Sequence, residues 1–443
     1  MSAAKFYCHL FCGILFSINP LFSQNRADAK KIVDTLTSPS MHGRGYVAGG
    51  DKIAAAYISE QFKGLKLISL NQSSSYFQKF SFPVNTFPGE MEMTFVWSNK
   101  KREIGQAGKN FLVSCESPSI KGKFLVIRLD SSVVYNIEKL RLFKNGLSKK
   151  SFILVDTGGV RTKEELTYLT NFIKYPRGIK GILIPVNSVT ITDACLKLST
   201  WDVSMKQSSI PTIMIDYRFR NIDQIDINIE SKFLKNHISQ NVIACVTGKN
   251  NPDSFIVFTA HYDHLGHMGK SVYFPGANDN ASGVAMLLSL AKYYALPEHK
   301  PNCTVVFMAF GGEEVGLLGS MYYASHPFFE MNKIKFLINM DILGTGDEGI
   351  TVVNATLFEK EFKLLQEINS ENNYLSVIKP RGKAAISDHY YFTEAKVPSF
   401  YIYTLGGIKA YHDICDRKET LSLVKFEEIF NLLRNFTAKI DNQ

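Results

Sequence analysis

The sequence predicts an α/β fold: a mostly parallel central sheet covered by helices on both faces, with an inserted β-rich α/β module. Three observations carry that expectation. From Ser254 onward, apolar strand-like runs alternate with helix-like runs. Acidic and histidine residues recur where those strands end. Residues 105–245 have another texture, with short β-rich runs punctuating helical-looking stretches.

The regular part begins with SFIVFTA (254–260), read as a strand. ASGVAMLLSLAKYYA (281–295) is apolar almost all round, which predicts a buried helix. TVVFMAF (304–310) is the next strand, EEVGLLGSMYYAS opens a helix, and KIKFLINMD (333–341) is a third strand. Strands alternating with helices imply a largely parallel sheet buried on both faces. Near the C-terminus, Phe426, Ile429, Phe430, Leu433 and Phe436 share one side of an amphipathic helix. Residues 25–70 read as helical, with Ile53, Tyr57, Ile58, Phe62 and Leu65 at helical spacing. Ser38-Pro39, Gly43-Arg44-Gly45 and Gly49-Gly50 mark turns before them. Residues 76–97 read as strand, and the module carries FLVIRL (124–129), FILVD (152–156), GILIPV (181–186) and PTIMID (211–216). The expected partition is a leader at 1–24, the first part of the main domain at 25–104, the insert at 105–245, and the remaining, chemistry-bearing part at 246–443.

Composition excludes several classes. With 45% hydrophobic and 21% charged residues, the 443-residue chain is neither disordered nor collagenous, and its length favours two or three domains. No internal run of 18 apolar residues exists, which excludes a multi-span membrane protein. The net charge of +9 is spread out, without a basic block or a groove-reading motif, so no nucleic-acid partner is expected. In the first 24 residues Lys5 is the sole charge, followed by an apolar stretch to about Phe16 and then Ser23-Gln24. That is the shape of a secretory signal peptide, and Phe11 before Cys12 argues against a lipid-anchored cysteine. The expectation is an exported protein, periplasmic or extracellular, without a stable membrane anchor. Beyond the leader lie Cys115, Cys195, Cys245, Cys303 and Cys415. They form no Cys-x-x-Cys pair, which speaks against a thiolate zinc knuckle or a thioredoxin-type site. Disulfides are compatible with this set, but spacing does not place them.

The chemistry lies at the strand ends. His261 and Asp263 follow the first strand, Asp279 precedes the buried helix, Glu313 and Glu314 follow the second strand, and Asp341 ends the third. His412 follows the apolar run SFYIYTL. In a parallel sheet these are carboxyl ends opening onto one crevice, where α/β sheets bind ligands. Carboxylates crowded there repel one another unless their pKa values rise or a cation sits among them. Histidines in the set favour a zinc-type ion over calcium or magnesium. A two-metal site would use a bridging carboxylate. Three carboxylate ligands and a hydroxide balance two divalent ions, leaving one glutamate as general base. Singly, each residue has an ordinary reading: a capping histidine, an N-cap at Asp279, first-turn acids at Glu313-Glu314 and a turn residue at Asp341. Together these would be five coincidences at one sheet edge. No His-Glu-x-x-His helix, Gly-x-Ser-x-Gly elbow or Walker loop is present, and Ser282 lacks the neighbours of a serine nucleophile.

AHYDHLG, GANDNASG, FGGEEVGLLGS, NMDILG, SDHYYF and YHDICD resemble, in order, the blocks of the M28 zinc peptidases, which are co-catalytic aminopeptidases. LTSPSMHGRGYVAGGDKIAAAYISEQFKGLKL and SYFQKF resemble that family's opening segment. KGKFLVIRL, GIKGILIPVN and SIPTIMID resemble the protease-associated domain often inserted in it. The resemblance implies a zinc aminopeptidase-like fold and an exported enzyme hydrolysing N-terminal residues from peptides with two Zn2+ per chain and a metal-activated water. Carried over by position, His261 and Asp341 would bind one zinc, Glu314 and His412 the other, and Asp279 both. Asp263 would orient His261 without touching metal, and Glu313 would be the general base and acid. Ser387-Asp388-His389 would shape the crevice wall. The extra His264 and His267 on the loop after His261 could be adventitious ligands or substrate contacts, with exposed loop residues the preferred reading. After His412 the family often has Thr-Pro, where this chain has Asp413-Ile414; Asp416 keeps the spacing to the following acid. The competing readings are a single-zinc glutaminyl cyclase, a carboxypeptidase using Arg381 or Lys383, and a metal-free binding protein. The complete ligand set argues against the first and last.

Overall fold

A computed structural model describes residues 21–442, apart from 71–74, 148–149, 193–194 and most of 130–135 and 156–178. The signal-peptide reading falls on residues 1–20, outside the described residues, and on the opening turn of the first helix. The described helices are α1 (Leu21–Leu36), α2 (Gly50–Gly64), α3 (Ile137–Asn145), α4 (Gly283–Tyr294), α5 (Leu318–Ser325), α6 (Glu359–Asn372), α7 (His389–Glu394) and α8 (Phe426–Asp441). Eight strands form the first sheet: β1 (Phe77–Thr86), β2 (Lys232–Val246), β3 (Asn251–His261), β4 (Cys303–Phe310), β5 (Ile334–Met340), β6 (Ile350–Val353), β7 (Ile378–Arg381) and β8 (Ser399–Thr404).

Their spatial order is β1-β2-β4-β3-β5-β8-β6-β7. The four central strands, β4, β3, β5 and β8, are parallel, as the alternation of strands and helices predicts. The flanks differ: β2 runs antiparallel to β4, and β6 antiparallel to β8. The sheet is therefore mixed. Hydrophobicity shows which segments are buried strands but not their direction, so the antiparallel flanks leave no mark in the pattern.

Side-chain alternation splits the sheet into two apolar faces. Ile256, Phe258, Ala260, Val305, Phe307, Phe336 and Ile338 pack on α1, α2, α4, α6 and α8. Val257, Val306, Met308, Phe310 and Leu337 face the other way, against Tyr323 of α5 and Phe392 of α7. Helix α4 explains itself by this position. It lies under the sheet with Val284 through Leu288 buried, so its apolar residues need not keep to one stripe. Helix α8 covers the same face with the amphipathic side read from the sequence, all five of its named residues being buried.

A second eight-stranded sheet uses only residues between Met91 and Ile229. Strands Ile120–Leu129, Ser151–Val155, Gly181–Val186 and Thr212–Asp216 run parallel within it. Its core includes Phe95, Phe111, Phe152, Ile213 and Ile225. The limits of 105 and 245 drawn from sequence differ from this sheet's extent. Met91–Val96 and Arg102–Ile104 belong to the second sheet, and Lys232–Val246 belongs to the first. Each is an apolar β-run that could serve either sheet, so local pattern does not assign it. A hairpin of Val189–Thr192 and Cys195–Lys197 projects from the module, and Cys195 is disulfide-bonded to Cys415 of the main domain.

Leu287 is fully buried between α4 and the sheet. Leu287→Ala is expected to cost about 2–5 kcal/mol, from lost transfer energy plus the cavity left behind. Urea unfolding monitored by circular dichroism would measure it.

Candidate metal centre

Because β3, β4, β5 and β8 are parallel, their carboxyl ends meet at one rim. His261 is the last residue of β3, Glu313 and Glu314 follow β4 after Gly311-Gly312, and Asp341 directly follows β5. Asp279 sits in the irregular turn Ala277–Ser282 that leads into α4. His412 lies on the loop after β8.

These side chains converge. His261 Nε2 is 3.2 Å from Asp341 Oδ1 and 3.3 Å from Asp279 Oδ1. His412 Nε2 is 3.2 Å from Asp279 Oδ2 and 3.1 Å from Glu314 Oε2. Asp279 thus turns one carboxylate oxygen to each histidine. Two groups of donor atoms, His261–Glu313–Asp341 and His261–Asp279–Glu314, each lie within 4.8 Å of one another. The sequence-predicted set is therefore brought to a single buried site. Two imidazole nitrogens facing three carboxylates form a mixed nitrogen–oxygen donor set, which suits a zinc-type ion.

The remaining groups hold this arrangement in place. Ser387 Oγ donates to Asp341 Oδ2 at 3.0 Å. The backbone N–H groups of Asn278 and Asp279 donate to the two oxygens of Asp416, at 2.8 and 2.9 Å. Asp263 is fully buried and anchors the Glu313–Glu314 turn: its carboxylate accepts from both backbone N–H groups, at 3.2 and 3.3 Å, and from Tyr46 Oη at 2.6 Å. The part given to Asp263 in the sequence shifts accordingly. The nearer partner of His261 Nδ1 is the main-chain carbonyl of Asp263, at 3.2 Å, with its carboxylate at 3.9 Å.

His264 corrects the sequence reading more sharply. It is not an exposed loop residue but fully buried, with Nδ1 2.7 Å from Glu314 Oε1. His267 is half-buried. Arg44 was read only as part of a turn, yet it is wholly buried. Its N–H groups donate to the carbonyls of Tyr262, Leu36, Pro275, Gly276 and Asp279. One cation thereby ties the opening segment to both turns that carry His261 and Asp279. Two glycines around an arginine signal a turn and give no hint that the arginine folds inward. The close packing explains Gly45, where an added Cβ would lie 2.4 Å from the Cα of Gly266.

Electrostatics follow from burial and crowding. Burial raises Glu313 well above the usual carboxylate range; His261 opposes this, while Glu314, Asp388 and Asp341 add to it. Burial and Asp279 push Glu314 up, but His412 and His264 outweigh them and bring it down to about 2. For Asp279, burial is likewise outweighed by hydrogen bonds from His261 and His412, and its pKa falls well below the ordinary value. The two neighbouring glutamates therefore differ in proton affinity, with Glu313 the stronger base. Burial raises Asp388 and Asp416 to about 7 each, against the charge of His261 at Asp388 and the backbone N–H groups of Asn278 and Asp279 at Asp416.

Residues 241–437 match the family described as Peptidase family M28. The chain carries a peptidase family M28 domain. The matched span contains all seven side chains predicted from the strand ends. Among curated relatives, the aminopeptidase YwaD of Bacillus subtilis is 31% identical over 183 residues, covering 40% of this chain and 38% of its own. A probable zinc metalloprotease of Pyrenophora teres f. teres is 39% identical over 113 residues, covering 25% and 23%. The chain thus spans well under half the length of these relatives. Among solved structures, a peptidase M28 precursor from Shewanella amazonensis aligns over 96% of both chains, with TM-score 0.65 and 17% identity. A zinc aminopeptidase from Bacillus subtilis aligns over 93% of this chain and 94% of its own, with TM-score 0.61 and 19% identity. At those identities the likeness is one of fold, and it extends over the M28 domain and the second sheet together.

The raised groups set a pH dependence for the metal-free protein. Asp388 and Asp416 at about 7, and Glu313 well above its ordinary carboxylate value, bind protons more tightly folded than unfolded. His261 and His412 are also raised, because carboxylate partners outweigh burial, which lowers both. A raised histidine contributes stability fully below its unfolded value, near 6.5, and loses it as pH climbs toward its folded value. Over pH 6.5–8 these contributions share one sign. The chelated protein is expected to melt at lower temperature at pH 8 than at pH 6.5; a rise in Tm across that window would contradict the site electrostatics.

Proposed function

We propose that this chain is an exported zinc-dependent aminopeptidase that removes N-terminal residues from peptides, with Asp279 bridging two metal ions. The observation that carries this reading is the geometry of Asp279, one oxygen facing His261 and the other His412. His261 and Asp341 would hold one ion, and Glu314 and His412 the other. Bound zinc would supply Lewis-acid chemistry, lowering the pKa of water and polarising the peptide carbonyl. Glu313, the stronger base of the adjacent pair, takes a proton from the attacking water and returns it to the leaving amine. Asp263 keeps Glu313 and Glu314 pointed to their separate tasks by holding both of their backbone N–H groups. The named activities of the curated relatives support a zinc peptidase. The leader-like composition of residues 1–24 supports export, and no described helix is long and apolar enough to cross a membrane. The second sheet is read as a protease-associated-like insert.

The carboxypeptidase alternative is not favoured. Arg381 and Lys383 are both exposed, and Lys383 is paired with Glu394, so neither lines a buried cationic pocket for a substrate carboxylate. A single-zinc cyclase using Asp279, Glu314 and His412 leaves the pairing of His261 with Asp341 beside them without a purpose.

Glu313→Gln is expected to lower kcat by about 10²–10⁴-fold, the usual contribution of general acid–base catalysis, with zinc content unchanged. Near-native turnover would remove Glu313 from its assigned part. Paired free-amine and N-blocked peptides, assayed with and without chelator, test the activity itself. The expected pattern is cleavage only of free-amine substrates, abolished by chelator and restored by zinc.

A further inference from the structure

The loop carrying His412 is held by the inserted module through a set of contacts concentrated in residues 195–202. Cys195 is bonded to Cys415, 220 residues away in sequence. Lys197 Nζ donates to the carbonyl of Tyr411 at 2.6 Å and pairs with Asp413 at 3.0 Å. The Trp201 N–H donates to the His412 carbonyl at 2.8 Å. The last contact reaches the imidazole itself: His412 Nδ1 is 2.8 Å from Asp202 Oδ1.

Trp201 makes this support rigid. Its indole Nε1 donates to the Val113 carbonyl in the second sheet at 2.6 Å. Its ring stacks on Phe274 of the main domain, with centroids 4.7 Å apart and planes 5° apart. The next residue, Asp202, is therefore fixed in backbone position although its side chain is 62% exposed.

We propose that Asp202 is a positioning residue for His412, so that the inserted module completes the metal centre. The Asp202 carboxylate accepts the Nδ1–H of His412. This selects the tautomer whose Nε2 lone pair points to Asp279 and Glu314, and it makes that nitrogen a better donor. Imidazole ligands commonly need such a partner, and its loss typically costs about 10–100-fold in metal affinity or activity. None of the family blocks contains Asp202, which lies outside the matched residues 241–437. The proposal rests on the two-metal reading of the site.

The test compares wild type, Asp202→Ala and Asp202→Glu in zinc-buffered chelator titrations, with bound zinc measured per chain. Wild type should hold two ions. Asp202→Ala should hold one ion like wild type and the second about 10–100-fold more weakly, with Asp202→Glu recovering part of the loss. At limiting zinc, kcat should fall while KM changes little, and excess zinc should restore turnover. Because Asp202 also pairs with His412 in the chelated protein, chelated Asp202→Ala should melt slightly below chelated wild type, so the discriminating readout is the affinity of one ion against the other. Unchanged affinity for both ions in Asp202→Ala would overturn the proposal, as would equal weakening of both ions, which marks a purely structural part. A wild type that binds fewer than two ions would overturn the two-metal reading as well.

Discussion

Everything at the strand-end rim depends on gathering negative charge where water is largely excluded. Asp263, Asp279, Asp341 and Asp416 are all nearly inaccessible, and Glu313 and Glu314 stand beside them. An isolated buried carboxylate is costly, and several together are costlier still. The fold answers with directed donors and opposite charge: histidines facing Asp279, backbone N–H groups facing Asp263 and Asp416, and the guanidinium of Arg44 close behind. These partners fix where each oxygen points. A divalent cation fits that arrangement because it neutralises the charge the donors only offset.

The same crowding separates the two adjacent glutamates. They share a turn, yet Glu314 lies against two imidazoles while Glu313 has only that of His261 nearby and is opposed by Glu314, Asp388 and Asp341. Environment alone assigns one to hold charge and the other to accept a proton. The division of labour is built by the turn after β4, whose backbone is tied down by Asp263. A carboxylate that touches neither ring of the donor set closely therefore controls the geometry of both glutamates.

Much of this was legible in the chain. The run from Ser254 to Asp341 has the apolar alternation of a buried parallel sheet, so its strand ends, and the chemistry at them, could be located without coordinates. What escaped has a common physical cause. Arg44, Tyr46 and His264 act through contacts across long sequence separations, and their neighbours look like ordinary turn residues. Asp202 lies in a segment whose local pattern speaks only of loop. Strand direction in the flanks and the allotment of Met91–Val96 and Lys232–Val246 to their sheets are set by tertiary pairing, which a periodicity of two does not encode.

The pairing of β1 with β2 has a further consequence. Its register runs from Phe77 opposite Val242 to Thr86 opposite Lys232, so the chain leaves and re-enters the main domain at neighbouring positions. Topologically this is one long hairpin whose tip has been replaced by a whole layer of structure. A short turn could close it without disturbing any strand of the first sheet. The module is thus an insertion by topology, while its outlying strap, from Cys195 to Asp202, reaches back to the loop that carries His412. Excision would loosen the imidazole and also bare Leu265, Met268, Phe274 and Ile414, which share the module's apolar core, so a graft must preserve that seam as well as the strap.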